Sequence, residues 1–221
     1  MQYFTNNTTN NTLSSLLKML CMFCLTFTLS LANISAASPQ DDSGAGEKVK
    51  NYVHKLIEQG KSILNDITLD KASKKKNIRE LIVVNLNTEA MMNSALGFHK
   101  KSMQPEQLEN MAKLYKEYII QTYTNLVSSY KNQEIQIMNV RHMNGNDFLI
   151  QTQIKGSGQP VNVAYLVRAE GDGTYKVIDI ITEGISLINT QMAEFDSVIN
   201  SQGAEQLLKN LTQKIQASKE E

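Results

Sequence analysis

The apolar residues change period near the middle of this chain, and that change constrains the fold more than any other feature. As far as Tyr130 they recur three or four apart, the spacing of one helix face; after it they alternate, the spacing of one strand face. Alternation predicts strands over 134–141, 147–155, 161–168 and 175–181. Asn144-Gly145 is a strong hairpin signal, because both residues tolerate positive φ. Gly156-Ser157-Gly158 and Glu170-Gly171-Asp172-Gly173 break the chain again. Four strands joined by short turns make an antiparallel meander. Helices before and after it give an α+β domain with the sheet covered on one face.

The helical half divides at its start signals. Val49, Val53, Leu56, Ile57, Ile63 and Leu64 mark a first helix from Glu47, behind a polar, flexible leader over 39–46. Asp70 caps a second helix that carries Ile78, Leu81 and Ile82. A third runs from Thr88 to near Gly97. Pro105 opens a long fourth, as a first-turn proline does, and its apolar face is Leu108, Met111, Ala112, Tyr115, Ile119, Tyr123 and Leu126. Two more helices, over 189–200 and 204–216, follow the sheet and part at Gly203.

The first 37 residues read as a cleavable export signal, leaving 38–221 as one domain. Leu13 to Leu31 is mostly apolar, Lys18 precedes its densest part, and Ser35-Ala36-Ala37 supplies small residues for cleavage. The uninterrupted apolar stretch is short for a membrane span, the alternative being an uncleaved anchor. The leader before it is rich in Asn and Thr and has no positive charge, which points to a start further downstream. Neither Cys21 nor Cys24 has the small residues that a lipoprotein signal places before its cysteine. Both of the chain's 2 cysteines lie in this segment, so the mature chain holds no disulfide and no thiolate metal site. The expected compartment is the periplasm.

Charge is balanced, 22 Lys and Arg against 22 Asp and Glu, which argues against a nucleic-acid partner. The 3 histidines, His54, His99 and His142, have no ligand spacing, so no metal is expected, and no cofactor. Gly156 and Gly158 lack the third glycine and following helix of a phosphate loop. Ser186 is not in a nucleophile elbow. Asp179 and Glu183 remain. Asp179 alternates with Val177 and Ile181, and an acid on an apolar face of a helix-covered sheet is how ketosteroid-isomerase-like enzymes hold a general base. The competing reading has these carboxylates accepting backbone N–H bonds at a strand end.

Apolar side chains are plentiful on both halves. Met91, Met92, Leu96 and Phe98 cluster between the third and fourth helices, and Met111, Tyr115 and Ile119 extend that surface. The sheet adds Val161, Val163, Tyr165 and Val167, and Ile185, Leu187 and Ile188 flank it. Methionine repacks around chains of different length. Pattern alone does not separate a filled core from an emptied one.

The order of motifs adds to this reading. Leu96-Gly97 and Pro105-Glu106-Gln107 precede the long helix. Val177-Ile178-Asp179, Glu183-Gly184-Ile185-Ser186, Glu194-Phe195 and Gly203 follow in the second half. Behind an export signal, this order resembles the MlaC, or toluene-tolerance, family: periplasmic phospholipid shuttles of the Mla lipid-asymmetry system. Two positions depart from it, Lys100 where members often have Trp and Met192 where many have Arg, so partner-binding residues are not carried onto them. The resemblance implies a cystatin or ketosteroid-isomerase-like cone with an apolar cavity and no catalysis. It implies a monomer that binds glycerophospholipid tails in that cavity. Its partners would be an inner-membrane ABC transporter complex and an outer-membrane lipoprotein–porin complex. On this reading the fourteen apolar residues just named line the cavity, and Asp179, Glu183, Gly184 and Ser186 are structural. The alternatives are an isomerase-like enzyme with Asp179 as base, and an interaction module with a solid core.

Overall fold

Helix α1 (Ser43–Asn65) begins within the segment expected to be a flexible leader. The computed structural model describes residues 43–128, 133–156 and 158–218; the segment expected to be an export signal, 1–37, lies outside them. Helix α2 (Lys71–Asn85) is capped by Asp70, whose carboxylate accepts the Ser73 N–H at 2.7 Å. Helix α3 (Thr88–Leu96) is capped in the same way by Asn87. A 3₁₀ turn, Gly97–Lys101, not anticipated from sequence, leads to helix α4 (Pro105–Ser128).

Strands β1 (Glu134–His142), β2 (Asp147–Lys155), β3 (Val161–Ala169) and β4 (Tyr175–Thr182) form the expected antiparallel meander. A two-residue fifth strand, β5 (Ile185–Ser186), joins its edge. Helices α5 (Leu187–Gln202) and α6 (Ala204–Ala217) close the fold, separated at Gly203.

The register puts the apolar residues on one face. Phe148, Ile150, Thr152 and Ile154 sit opposite Val167, Tyr165, Val163 and Val161. The other face is mixed: Gln136 lies opposite Gln153 and Gln153 opposite Asn162, while Leu149 lies opposite Leu166. Arg168 and Asp147, paired across β2 and β3, make a fork of two hydrogen bonds at 2.7 and 2.8 Å.

Two apolar clusters form. In one, Val49 and Val53 of α1 cover Phe148, Ile150, Val167 and Val177 of the sheet. In the other, α3, α4, α5 and α6 bury Met91, Met111, Tyr115, Ile119, Phe195 and Leu207 among themselves. Leu86 packs against both and bridges to Val177.

Candidate functional site

The strand-to-helix corner after β4 shows what its two acids do. Thr182 pairs with Ile185, leaving Glu183 and Gly184 as a two-residue turn with φ of 50° and 80°. Positive φ at both positions is what a type I′ hairpin demands. Glu183 is the one non-glycine residue with positive φ among the described residues. It is held there from both sides: its N–H donates to the Asn162 carbonyl at 2.9 Å, and its carboxylate accepts the Asn162 N–H.

Asp179 is buried and fully engaged. One oxygen accepts the N–H groups of Ile180 and Ile188 at 2.8 and 3.2 Å; the other accepts the Ser186 hydroxyl at 2.6 Å. Ser186 in turn caps α5 by accepting the Asn189 N–H at 3.0 Å. A carboxylate committed to three donors that fix a corner is not poised to take a carbon-bound proton. The expectation that Asp179 shares a face with Val177 also fails. A bulge at Ile178 breaks the alternation, so Val177 pairs with Val167 while Asp179 pairs with Leu166 on the opposite face.

The fourteen predicted lining residues fall in three places. Met91, Met92, Leu96, Met111, Tyr115, Ile119 and Ile188 belong to the helical cluster, and Leu187 packs against it. Met91, Met111, Tyr115 and Ile119 keep no accessible surface at all, so they border no space that water could enter. Val167 is equally buried in the sheet cluster and Val163 nearly so, while Val161, Tyr165 and Ile185 are half-buried. Phe98 is 69% exposed and turned away from both clusters, because the 3₁₀ turn buries His99 in its stead.

Helix α4 packs closely on α2, α3 and α6, and its backbone approaches no strand as closely. Burial holds the Tyr123 hydroxyl of α4 from ionising, and Tyr115, Asp179, Tyr118 and Tyr165 add to that effect in this order. Burial is the main cause of the raised pKa of both Tyr123 and Tyr165. Both residues are half-buried. Ile180 sits opposite Tyr165 and is also half-buried. Tyr123 was legible as a member of the α4 apolar face; Ile180 was not, since the bulge reverses the parity of β4.

Two surface depressions lie elsewhere. One of about 300 Å³ is lined by Leu64, Leu69, Lys71, Lys74 and Ser128. The other, about 580 Å³, runs along α4 and α6 past Asn110, Glu205, Lys209 and Gln213. Both have polar rims, and neither contains a predicted lining residue. Among the described residues no three metal-ligating side chains converge, and no helix is long and apolar enough to cross a membrane.

The family model for the MlaC protein matches residues 48–213. The chain belongs to the MlaC family. That is a family of binding proteins, and the engagement of Asp179 agrees with it. A curated relative, the intermembrane phospholipid transport system binding protein MlaC of Haemophilus influenzae, is 28% identical over 140 residues. The match covers 62% of this chain and 65% of that protein, just under two thirds of its length. Among solved structures, the phospholipid-binding protein of Ralstonia solanacearum, determined in complex with a phospholipid, superposes with a TM-score of 0.65 at 23% identity. The superposition covers 79% of this chain and 98% of that one, so the MlaC fold extends over nearly the whole described body. The two departures from the family pattern, Lys100 and Met192, lie on the exposed 3₁₀ turn and on α5 beside it.

Proposed function

We propose that this MlaC-family chain is a monomeric periplasmic carrier of glycerophospholipids, exported by a signal over residues 1–37. It holds the acyl tails in the space between α4 and the apolar face of the sheet and leaves the head group in water. It moves lipid between an outer-membrane lipoprotein–porin complex and an inner-membrane ABC transporter complex. The observation that carries this reading is the half-buried row Val161, Tyr165 and Ile180 on one face of the sheet, where no strand comes as near to α4 as its neighbouring helices do. The family supports it, as does the solved relative of the same fold, whose complex contains a phospholipid.

Energetics explain why a carrier is needed. At about 0.8 kcal/mol per methylene, two tails of roughly thirty methylenes resist leaving a bilayer by about 25 kcal/mol gross. The protein must therefore supply an apolar lining before it removes the lipid. Val161, Tyr165 and Ile180 offer that lining from the sheet, and Tyr123 offers it from α4. The closed methionine cluster behind α4 is the wall that keeps the helix in place. The corner at Asp179 and Glu183 fixes where the sheet ends and α5 begins.

The test is extraction. Protein purified from bacteria, extracted with organic solvent and analysed by mass spectrometry, is expected to carry close to one phospholipid per chain. Its N-terminal residue is expected to be Ser38. Protein that is empty and takes no lipid from liposomes would end the proposal.

A further inference from the structure

The 3₁₀ turn between α3 and α4 orients its side chains against the usual partition. Phe98 is 69% exposed, and its neighbour His99 is 5% exposed. Folding ordinarily buries a phenyl ring before an imidazole. Several contacts hold the reversed arrangement. His99 Nε2 lies 2.8 Å from Asp196 Oδ1 of α5. The His99 carbonyl accepts the Ser102 N–H at 3.0 Å and the Ser102 hydroxyl at 2.9 Å. The Phe98 and His99 rings stack with centroids 4.0 Å apart. Gly97 opens the turn at φ 53° and ψ −128°, a conformation only glycine adopts readily. Phe98 is thus presented from a fixed platform.

Its surroundings are of two kinds. Met192 of α5, 44% exposed, brings its sulfur to 3.9 Å from where a Cβ on Gly97 would stand. Lys100 and Lys101 follow in the chain, both exposed, and neither forms an ion pair among the described residues. The nearby acids of α5 are engaged elsewhere, Asp196 with His99 and Glu194 with Lys214 at 2.5 Å.

We propose that this turn is the contact by which the carrier docks on a protein partner that presents an apolar socket rimmed by carboxylates, an inference that rests on the carrier reading above. Phe98 fills the socket, Met192 conforms to its edge, and Lys100 and Lys101 meet the acids. A rigid aromatic at the centre with charges at the rim is the usual composition of a binding hot spot. A bilayer surface fits less well. Lipid-recognising segments gather about four to eight Lys and Arg, and this turn offers Lys100 and Lys101 alone.

The test compares the whole mature chain with F98S and with K100E/K101E. Each is titrated by biolayer interferometry against the two membrane complexes, separately reconstituted in nanodiscs, and against protein-free nanodiscs of phosphatidylethanolamine and phosphatidylglycerol. The wild type is expected to bind at least one complex. F98S should weaken that binding at least about tenfold, and K100E/K101E should weaken it and flatten its salt dependence. Bound lipid and melting temperature should match the wild type in both variants. Undiminished binding by both variants overturns the proposal. So does wild-type binding to neither complex, or equal binding to protein-free nanodiscs, which would mark a lipid surface instead. Loss of docking in F98S from a wild-type chain that extraction shows to be lipid-free would keep the docking surface and remove the carrier reading.

Discussion

Ser186 connects two functions that sequence inspection treats separately, the cap of α5 and the anchoring of Asp179. Ser186→Ala removes the hydroxyl that caps Asn189 and the donor that satisfies one Asp179 oxygen. A lost cap costs about 1 kcal/mol and a lost hydrogen bond to a buried carboxylate about 1.5–3. The variant should therefore lose about 2–4 kcal/mol of unfolding free energy in a urea titration. Asp179→Asn should lower stability on a similar scale without abolishing any turnover. The tyrosines give a second residue-scale test. Burial pushes Tyr52 up to about 12 and raises Tyr115, Tyr123 and Tyr165 as well. Each folded pKa lies above the ordinary value of 10.0. The stability they contribute is complete below pH 10 and is lost as pH rises through the folded values. Absorbance at 295 nm should show these four ionising only as the chain unfolds; a smooth titration of every tyrosine in folded protein would contradict their burial.

Elements were more legible than their details. The helix starts at Asp70, Thr88 and Pro105 and all four long strands follow from periodicity and turn chemistry, because those signals are local. What stayed hidden is what depends on packing. The bulge at Ile178 swaps the faces of β4, and nothing in Val177-Ile178-Asp179 marks it. The 3₁₀ turn exposes Phe98, although its composition placed it with the pocket. Helix α1 extends back to Ser43 through a polar stretch that composition read as flexible. The space proposed between α4 and the sheet yields the element-scale prediction. Ile180→Trp should fill it, lowering the lipid recovered per chain while costing only about 1–3 kcal/mol, the usual penalty of overpacking. Full lipid load with a large fall in melting temperature would identify Ile180 as ordinary core.

For the molecule as a whole, family and architecture were readable from motif order, whereas the partition between closed core and open space was not. Methionines suited to a pliable pocket are, at Met91 and Met111, sealed inside the helical cluster. Only three-dimensional packing distinguishes the two uses of an apolar side chain. Acid sensitivity is also a property of the whole body. Hydrogen bonds from neighbouring donors hold Glu58, Asp66, Asp70, Glu109 and Asp172 below their ordinary values of 4.5 and 3.8. Depressed carboxylates contribute stability above those values and lose it as pH falls through the folded ones. Melting temperature should hold from neutrality to about pH 5 and decline below about pH 4. A decline already complete by pH 5 would point to a different group.

Among the described residues, Leu86 is the single side chain common to both apolar clusters. Mechanically it behaves as a pin between two plates. A change at that position is therefore felt in both clusters at once.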